Sequence, residues 1–218
     1  MPARKALIAV TSASASLFNG KETTGLFISE ALHPFKALVA AGFEVDLTSE
    51  TGSYTPDWLS LQPDFLNGSD LETWKDLDSD FRKKLDNMPK ASEVDGSHAL
   101  QEIAEQVWAN GGVVSSVCHG PAIFANVLDR STGAHLVTGK RITGFTTEAE
   151  STMGIMSELR GWGSEMVEEL ADRLGANYER SAGIWDDFHV VDGNLVTGQN
   201  PASASSTAKA AIEVFEKL

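Results

Sequence analysis

The sequence predicts an α/β protein: a mostly parallel sheet covered on both faces by helices. Two observations carry this. Short apolar runs alternate with stretches of helical periodicity along most of the 218 residues, the pattern of strands joined by helical crossovers. The composition, 42% hydrophobic and 22% charged, is that of a folded protein able to bury one core, and we read residues 1–218 as a single domain.

Taken in order, "ALIAV" (Ala6 to Val10) is the first buried strand. "FISEALHPFKALVAAG" then sets Phe27, Ala31, Phe35 and Leu38 at helical spacing and stops at Gly42. Pro34 should kink or restart that helix. "FEVDLTSE" supplies a second strand, "LQEIAEQVWANGG" an amphipathic helix ended by Gly111, and "VVSSV" a short β-branched strand. "RITGF" is a further strand candidate, and "FHVVDGNLVTG" reads as a hairpin around Asp192-Gly193, residues that tolerate the positive φ of a primed turn. "NPASASSTAKAAIEVFEKL" closes the chain as a helix, with Asn200 as its cap and Pro201 at its first position.

The segment from Thr51 to Ser97 departs from this rhythm. It is acidic, turn-rich and partly helical ("SDFRKKLDNM") but holds no clear apolar strand, where successive crossovers call for one. Loops of such length usually line a site or an interface.

A net charge of −14 repels phosphate backbones and anionic lipid, so neither a nucleic acid nor a membrane surface is expected as a partner. The start, "MPARKALIAV", has too short an apolar core for a signal peptide, and no later run is long enough for a span. A lone cysteine makes no internal disulfide. A reduced, cytoplasmic setting is the expectation.

That cysteine, Cys118, stands in "VVSSVCHGPAIFANVL", a strand, the turn Cys118-His119-Gly120-Pro121 and a helix. This is the form of a nucleophile elbow, with cysteine where hydrolases place serine. A sharp strand-to-helix turn pushes the side chain out of the carboxyl edge of the sheet, where open α/β sheets bind ligands. Gly120 lets a substrate approach the backbone, and Pro121 starts the helix without losing a donor. Nearness to a helix N-terminus favours thiolate over thiol. His119 can move protons if a carboxylate or carbonyl fixes its tautomer.

Glu148 and Glu150, on a loop after "RITGF", are candidates for that carboxylate, although solvated surface charge is the common fate of a glutamate. Glu30 interrupts the apolar stretch "GLFISEALHPF"; buried, it would be a neutral acid able to donate, and otherwise it faces solvent. His33, His98, His135 and His189 show no ligand spacing, so no metal is expected. Trp185-Asp186-Asp187 reads as a packing and capping segment near the hairpin.

The blocks "TGLFISEALHPF", "GFEVDLTSETG", "ANGGVVSSVCHGPA", "ITGFTTEAEST" and "WDDFHVVDGNLVTGQNPASA" closely resemble the fungal heat-shock-protein-31-like branch of the ThiJ/PfpI superfamily. The resemblance spans nearly the whole chain. It implies a flavodoxin-like α/β sandwich of the class I glutamine amidotransferase type, often a homodimer. The activity it implies is that of a glutathione-independent glyoxalase III, also called D-lactate dehydratase, a hydro-lyase acting on a small 2-oxoaldehyde (methylglyoxal) without cofactor or metal. On this resemblance Cys118 is the nucleophile, His119 its base, Glu150 the carboxylate behind the histidine and Glu30 the acid touching the thiol. Gly120, Pro121 and Trp185 fall beside the substrate. Chaperone and stress-response roles are also implied for the branch.

The sequence departs from that pattern between "KASEVDG" and "SHALQEIAEQ", where the family carries an apolar strand and a Gly-His-Gly loop. This is the strand whose absence the crossover pattern already showed. It leaves a second reading, a catalytically impaired holdase or redox sensor. A third, an amidotransferase or peptidase, lacks the distant histidine of glutaminases and ranks last.

Overall fold

The computed structural model describes residues 4–94 and 99–218. His98, and the junction at which the family strand is missing, lie outside the described residues. The chain forms two compact units, Met1–Leu100 and Gln101–Leu218.

In the first unit, β1 (Lys5–Val10) is followed by a short antiparallel hairpin, β2 (Ala15–Leu17) with β3 (Glu22–Thr24), that the sequence pattern did not reveal. Three-residue strands carry no readable alternation. Helix α1 (Ile28–Ala40) runs through Pro34 without restarting and leads to β4 (Glu44–Ser49), which pairs with β1 in parallel from Lys5↔Glu44 to Val10↔Ser49. Ala31 and Phe35 of the expected stripe are buried, together with Ile28 and Leu32, while Phe27 and Leu38 are half-buried.

Residues 51–94 hold α2 (Gly68–Lys75), α3 (Asp80–Asp86) and two single 3-10 turns. Phe81 and Leu85 of α3 are buried, and Phe81 meets Phe35 edge-on at 5.5 Å. Burying each such side chain contributes about 1.5–3 kcal/mol. No strand occurs between Ser49 and Val114 among the described residues; isolated parallel bridges, Leu26 to Pro56 and Ser49 to Lys90, are the nearest approach to one.

The second unit begins within α4 (Leu100–Ala109), which feeds β5 (Val114–Val117). The segment after Cys118 is a 3-10 helix, Gly120–Asn126, rather than the α-helix expected over "AIFANVL": the Ala122 N–H returns to the His119 carbonyl, three residues back. The "RITGF" strand shrinks to β6 (Arg141–Ile142). Beyond it the backbone is claimed by other partners, Thr143 N–H by the Thr197 hydroxyl and Phe145 N–H by the Cys118 carbonyl.

Helices α5 (Thr147–Met153), α6 (Met156–Gly161) and α7 (Val167–Leu174) follow, then β7 (Asn177–Tyr178), which pairs with β6 in parallel. β8 (His189–Asp192) and β9 (Leu195–Gly198) form the expected hairpin, but its two central residues are Gly193 and Asn194 rather than Asp192 and Gly193, because Asp192 pairs with Leu195. Of its two central residues only Gly193 takes a positive φ, +58°, the signature of a type II′ turn. β9 also pairs with β5 in parallel, giving the order β5-β9-β8. After a 3-10 turn at Pro201–Ser203 capped by the Asn200 side chain, α8 (Ala204–Phe215) ends the chain.

Parallel pairs joined through helices, with two antiparallel hairpins, β2-β3 and β8-β9, beside them, fit the flavodoxin-like α/β plan. Phe124, Val127, Val137, Ile142, Ala171 and Leu195 are among the buried centre of this unit. No helix among the described residues is long and apolar enough to cross a membrane.

Candidate active site

Cys118 follows β5 at φ +59°, a left-handed conformation that costs a non-glycine residue about 1–2 kcal/mol. Both of its backbone groups are held: its N–H donates to the Gly198 carbonyl at 3.0 Å and its carbonyl accepts from Phe145 N–H at 2.8 Å. These bonds, to the end of β9 and to the loop after β6, clamp the elbow. The cysteine is 5% exposed and packs with Phe145 and Ala149.

The clamp requires two glycines that sequence reading passed over. A Cβ on Gly144 would lie 2.9 Å from the Cys118 carbonyl oxygen and 2.7 Å from Val167, and one on Gly198 would lie 2.1 Å from the Thr207 hydroxyl. None of these distances is tolerable: Gly144 lets the backbone approach the Cys118 carbonyl, and Gly198 leaves room for the Thr207 side chain.

From the elbow the sulfur faces Nδ1 of His119 at 3.3 Å, and Nε2 of that ring meets Oε1 of Glu150 at 2.6 Å. The carboxylate selects the Nε2–H tautomer, which leaves the Nδ1 lone pair toward the thiol. On sequence, a helix N-terminus is expected to favour the ionised sulfur. A seven-residue 3-10 helix aligns few peptide units, and the imidazole is the group that faces the sulfur instead.

Glu148 and Glu150 sit in the first turn of α5, not on a loop. The Thr146 hydroxyl caps that helix by accepting Ala149 N–H at 3.0 Å, and the Glu168 carboxylate takes both the N–H and the hydroxyl of Thr147, at 3.2 and 2.9 Å. The run "TTEAE", threonines followed by acidic residues, carried this helix-start signal in the sequence. Two positions apart on the helix, the glutamates part ways: Glu150 turns inward to His119, whereas Glu148 is exposed and pairs with Arg180 at 2.5 Å.

The His119 ring lies against Phe145, centroids 4.8 Å apart, and Trp185 meets Phe145 edge-on at 5.9 Å. Phe145 is thus part of the surroundings that sequence reasoning missed. Tyr178 donates to the Gly144 carbonyl at 2.7 Å; burial, with the Glu168 charge, pushes its phenol well above the ordinary range and keeps it a donor. Gly120 is exposed, and Pro121 is buried with its ring against Gly144. Glu30 belongs to the first unit, half-buried in the first turn of α1. Among the remaining histidines, His33 bonds Asp70 at 2.7 Å.

A cysteine held in a strained strand-to-helix bend, backed by an imidazole and a buried glutamate on an α/β scaffold, defines the ThiJ/PfpI class of proteins. No family model matches the chain. It is 42% identical to the glutathione-independent glyoxalase HSP31 of Saccharomyces cerevisiae over 236 aligned positions, covering 99% of this chain and 100% of that protein. Glyoxalase 3 of Candida albicans is 40% identical, over 97% of this chain and 98% of that one. The crystal structure of glyoxalase III from Candida albicans matches with a TM-score of 0.94 at 40% identity, covering 99% of this chain and 98% of that chain. The chain therefore belongs to the HSP31-like family of glutathione-independent glyoxalases. An alignment of 236 positions exceeds a chain of 218 residues, so the yeast relative carries residues that this chain lacks.

Proposed function

We propose that the protein is a glutathione-independent glyoxalase III that takes up small 2-oxoaldehydes, methylglyoxal foremost, and releases D-lactate. The supporting observation is the chain from Cys118 Sγ through His119 to Glu150, with links of 3.3 and 2.6 Å.

Cys118 passes its proton to His119 Nδ1 and adds to the aldehyde carbon, forming the C–S bond while the carbonyl electron pair moves to oxygen. That oxygen takes a proton, and the product is a hemithioacetal. His119 then removes the hydrogen on the same carbon as a proton. The electrons left behind form the enediol with the neighbouring ketone carbon. Proton return to the neighbour gives a lactoyl thioester, and water cleaves the C–S bond to restore the thiol. One carbon is oxidised, its neighbour is reduced, and the net addition is one water, so no redox cofactor enters.

Glu150 holds the imidazole and stabilises its charged form. The Cys118 N–H is engaged by Gly198, so an oxyanion at the attacked carbon draws its donors from the turn that follows, each worth about 3–4 kcal/mol in a comparable site. The family resemblance assigns Glu30 an acid role, and Gly120, Pro121 and Trp185 flank the substrate. Homodimer formation and a cytoplasmic location belong to the same reading. The relatives favour turnover over the holdase reading.

The test is to incubate the purified protein with methylglyoxal in the absence of glutathione and to measure D-lactate. Cys118→Ala must abolish its formation; a Cys118→Ala protein that still makes D-lactate overturns the assignment.

A further inference from the structure

Asn200 caps the turn at Pro201–Ser203, but that role uses only one end of its side chain. Its Oδ1 accepts the Ser203 N–H at 3.2 Å and the Ser203 hydroxyl at 3.0 Å. Its Nδ2 donates to the carbonyls of Ile184 and Asp186, both at 2.9 Å. The residue between those carbonyls is Trp185. An amide nitrogen carries two hydrogens, so both are used, and a donor at one end with acceptors at the other fixes which end is nitrogen.

Gln199 grips the same loop from one residue away. Its Oε1 accepts the Ser181 N–H at 2.9 Å, and its Nε2 donates to the Ser181 hydroxyl at 3.0 Å and to the Gly183 carbonyl at 3.3 Å. Both amides are 0% exposed, where a lost partner is costly. Serine or aspartate would cap the turn as well. Of the good capping residues, only asparagine also offers two donors to the loop.

We infer that Asn200, supported by Gln199, is a positioning residue for the substrate pocket, holding the 181–187 loop by the two carbonyls that flank Trp185. The indole is thereby set against Phe145, and Phe145 against the His119 ring. The functional part of this inference rests on the glyoxalase reading; the structural part does not.

The test uses Asn200→Ser and Asn200→Asp, which keep an oxygen for Ser203 and remove the donors. Trp185 emission is isolated by subtracting a Trp185→Phe protein in each background, and its quenching by acrylamide is measured in the folded state. Quenching of Trp185 should increase in both variants. The KM for methylglyoxal should rise about fivefold while kcat changes by less than about twofold, because the wall binds substrate and transition state alike. If Asn200→Asp does not fold, Asn200→Ser decides. A folded Asn200→Ser with wild-type Trp185 quenching overturns the inference, even if its melting temperature falls, because the residue is then a cap and nothing more. Should the wild-type protein not act on methylglyoxal, quenching alone decides, so failure of the glyoxalase reading is seen separately.

Discussion

His119 and Glu150 share a 2.6 Å hydrogen bond whose two ends see different surroundings: the imidazole side chain is 59% exposed, the carboxylate side chain 3%. A buried carboxylate has little water to spread its charge into, so its field is directed at the ring that touches it. The ring's outer face stays open to a reactant. This asymmetry suits a group that must gain and lose a proton at Nδ1 while its other nitrogen stays fixed.

Replacing Glu150 by Gln keeps the shape and removes the charge. D-lactate production should fall by about 10²- to 10⁴-fold in kcat/KM, the usual contribution of an oriented general base. Glu148→Gln, which loses only a surface pair with Arg180, should stay within about twofold. Equal effects of the two substitutions would refute the division of roles.

Strain at Cys118 has its own measure. Glycine adopts φ +59° freely and alanine does not, so Cys118→Gly should be more stable than Cys118→Ala by about 1 kcal/mol. Denaturant midpoints of the two proteins give the comparison, and a more stable alanine variant would contradict the clamped elbow.

Gly144→Ala forces a methyl against the Cys118 carbonyl and Val167. Unfolding should become easier by about 1–3 kcal/mol, the range for overpacking, and the rate at which iodoacetamide alkylates Cys118 should change with it. Gly161→Ala is the control: nothing lies within 4 Å of the added carbon, and the residue is helical. It should be neutral or slightly stabilising.

Acid stability has a named contributor. The Arg160 guanidinium, with the Met166 N–H, holds the Glu169 carboxyl at about 2 against an ordinary value of 4.5. The folded pKa is depressed, so this stabilisation is complete above pH 4.5 and is lost as pH falls from there toward 2. In Glu169→Gln the loss of stability across that window should be shallower than in the parent, as followed by denaturant midpoint against pH. An unchanged slope would rule out this carboxyl.

Among the described residues β4 has β1 as its only partner strand, with a single bridge from Ser49 to Lys90 on the other side, and β5 has β9 as its only partner strand. Exposed edges are a liability. Inserting the family's strand and loop between Gly96 and Ser97 should raise both the melting temperature and the turnover of methylglyoxal. Unchanged values would show that the shortened form has closed up without loss.

The sequence by itself determined what is local. A β-branched run ending in Cys118-His119-Gly120-Pro121 specifies a bend with sulfur and imidazole adjacent, the stretch around Asp192-Gly193 a tight hairpin, and Asn200-Pro201 a capped helix start, because turn and cap chemistry acts over three or four residues. The spacing of apolar runs also showed no strand after Ser49, and among the described residues none forms before Val114. Spacing left Glu148 and Glu150 open and the resemblance pointed to Glu150; tertiary structure seated that carboxylate on His119, shortened "RITGF" to two residues, made the segment after the cysteine a 3-10 helix and set Trp185 on Phe145. Each of these depends on groups far apart in the chain: Glu150 reaches across 31 positions to His119, and the Cys118 N–H is satisfied by Gly198. Periodicity records which face of an element is apolar, but not which distant carbonyl or carboxylate folding will bring to it.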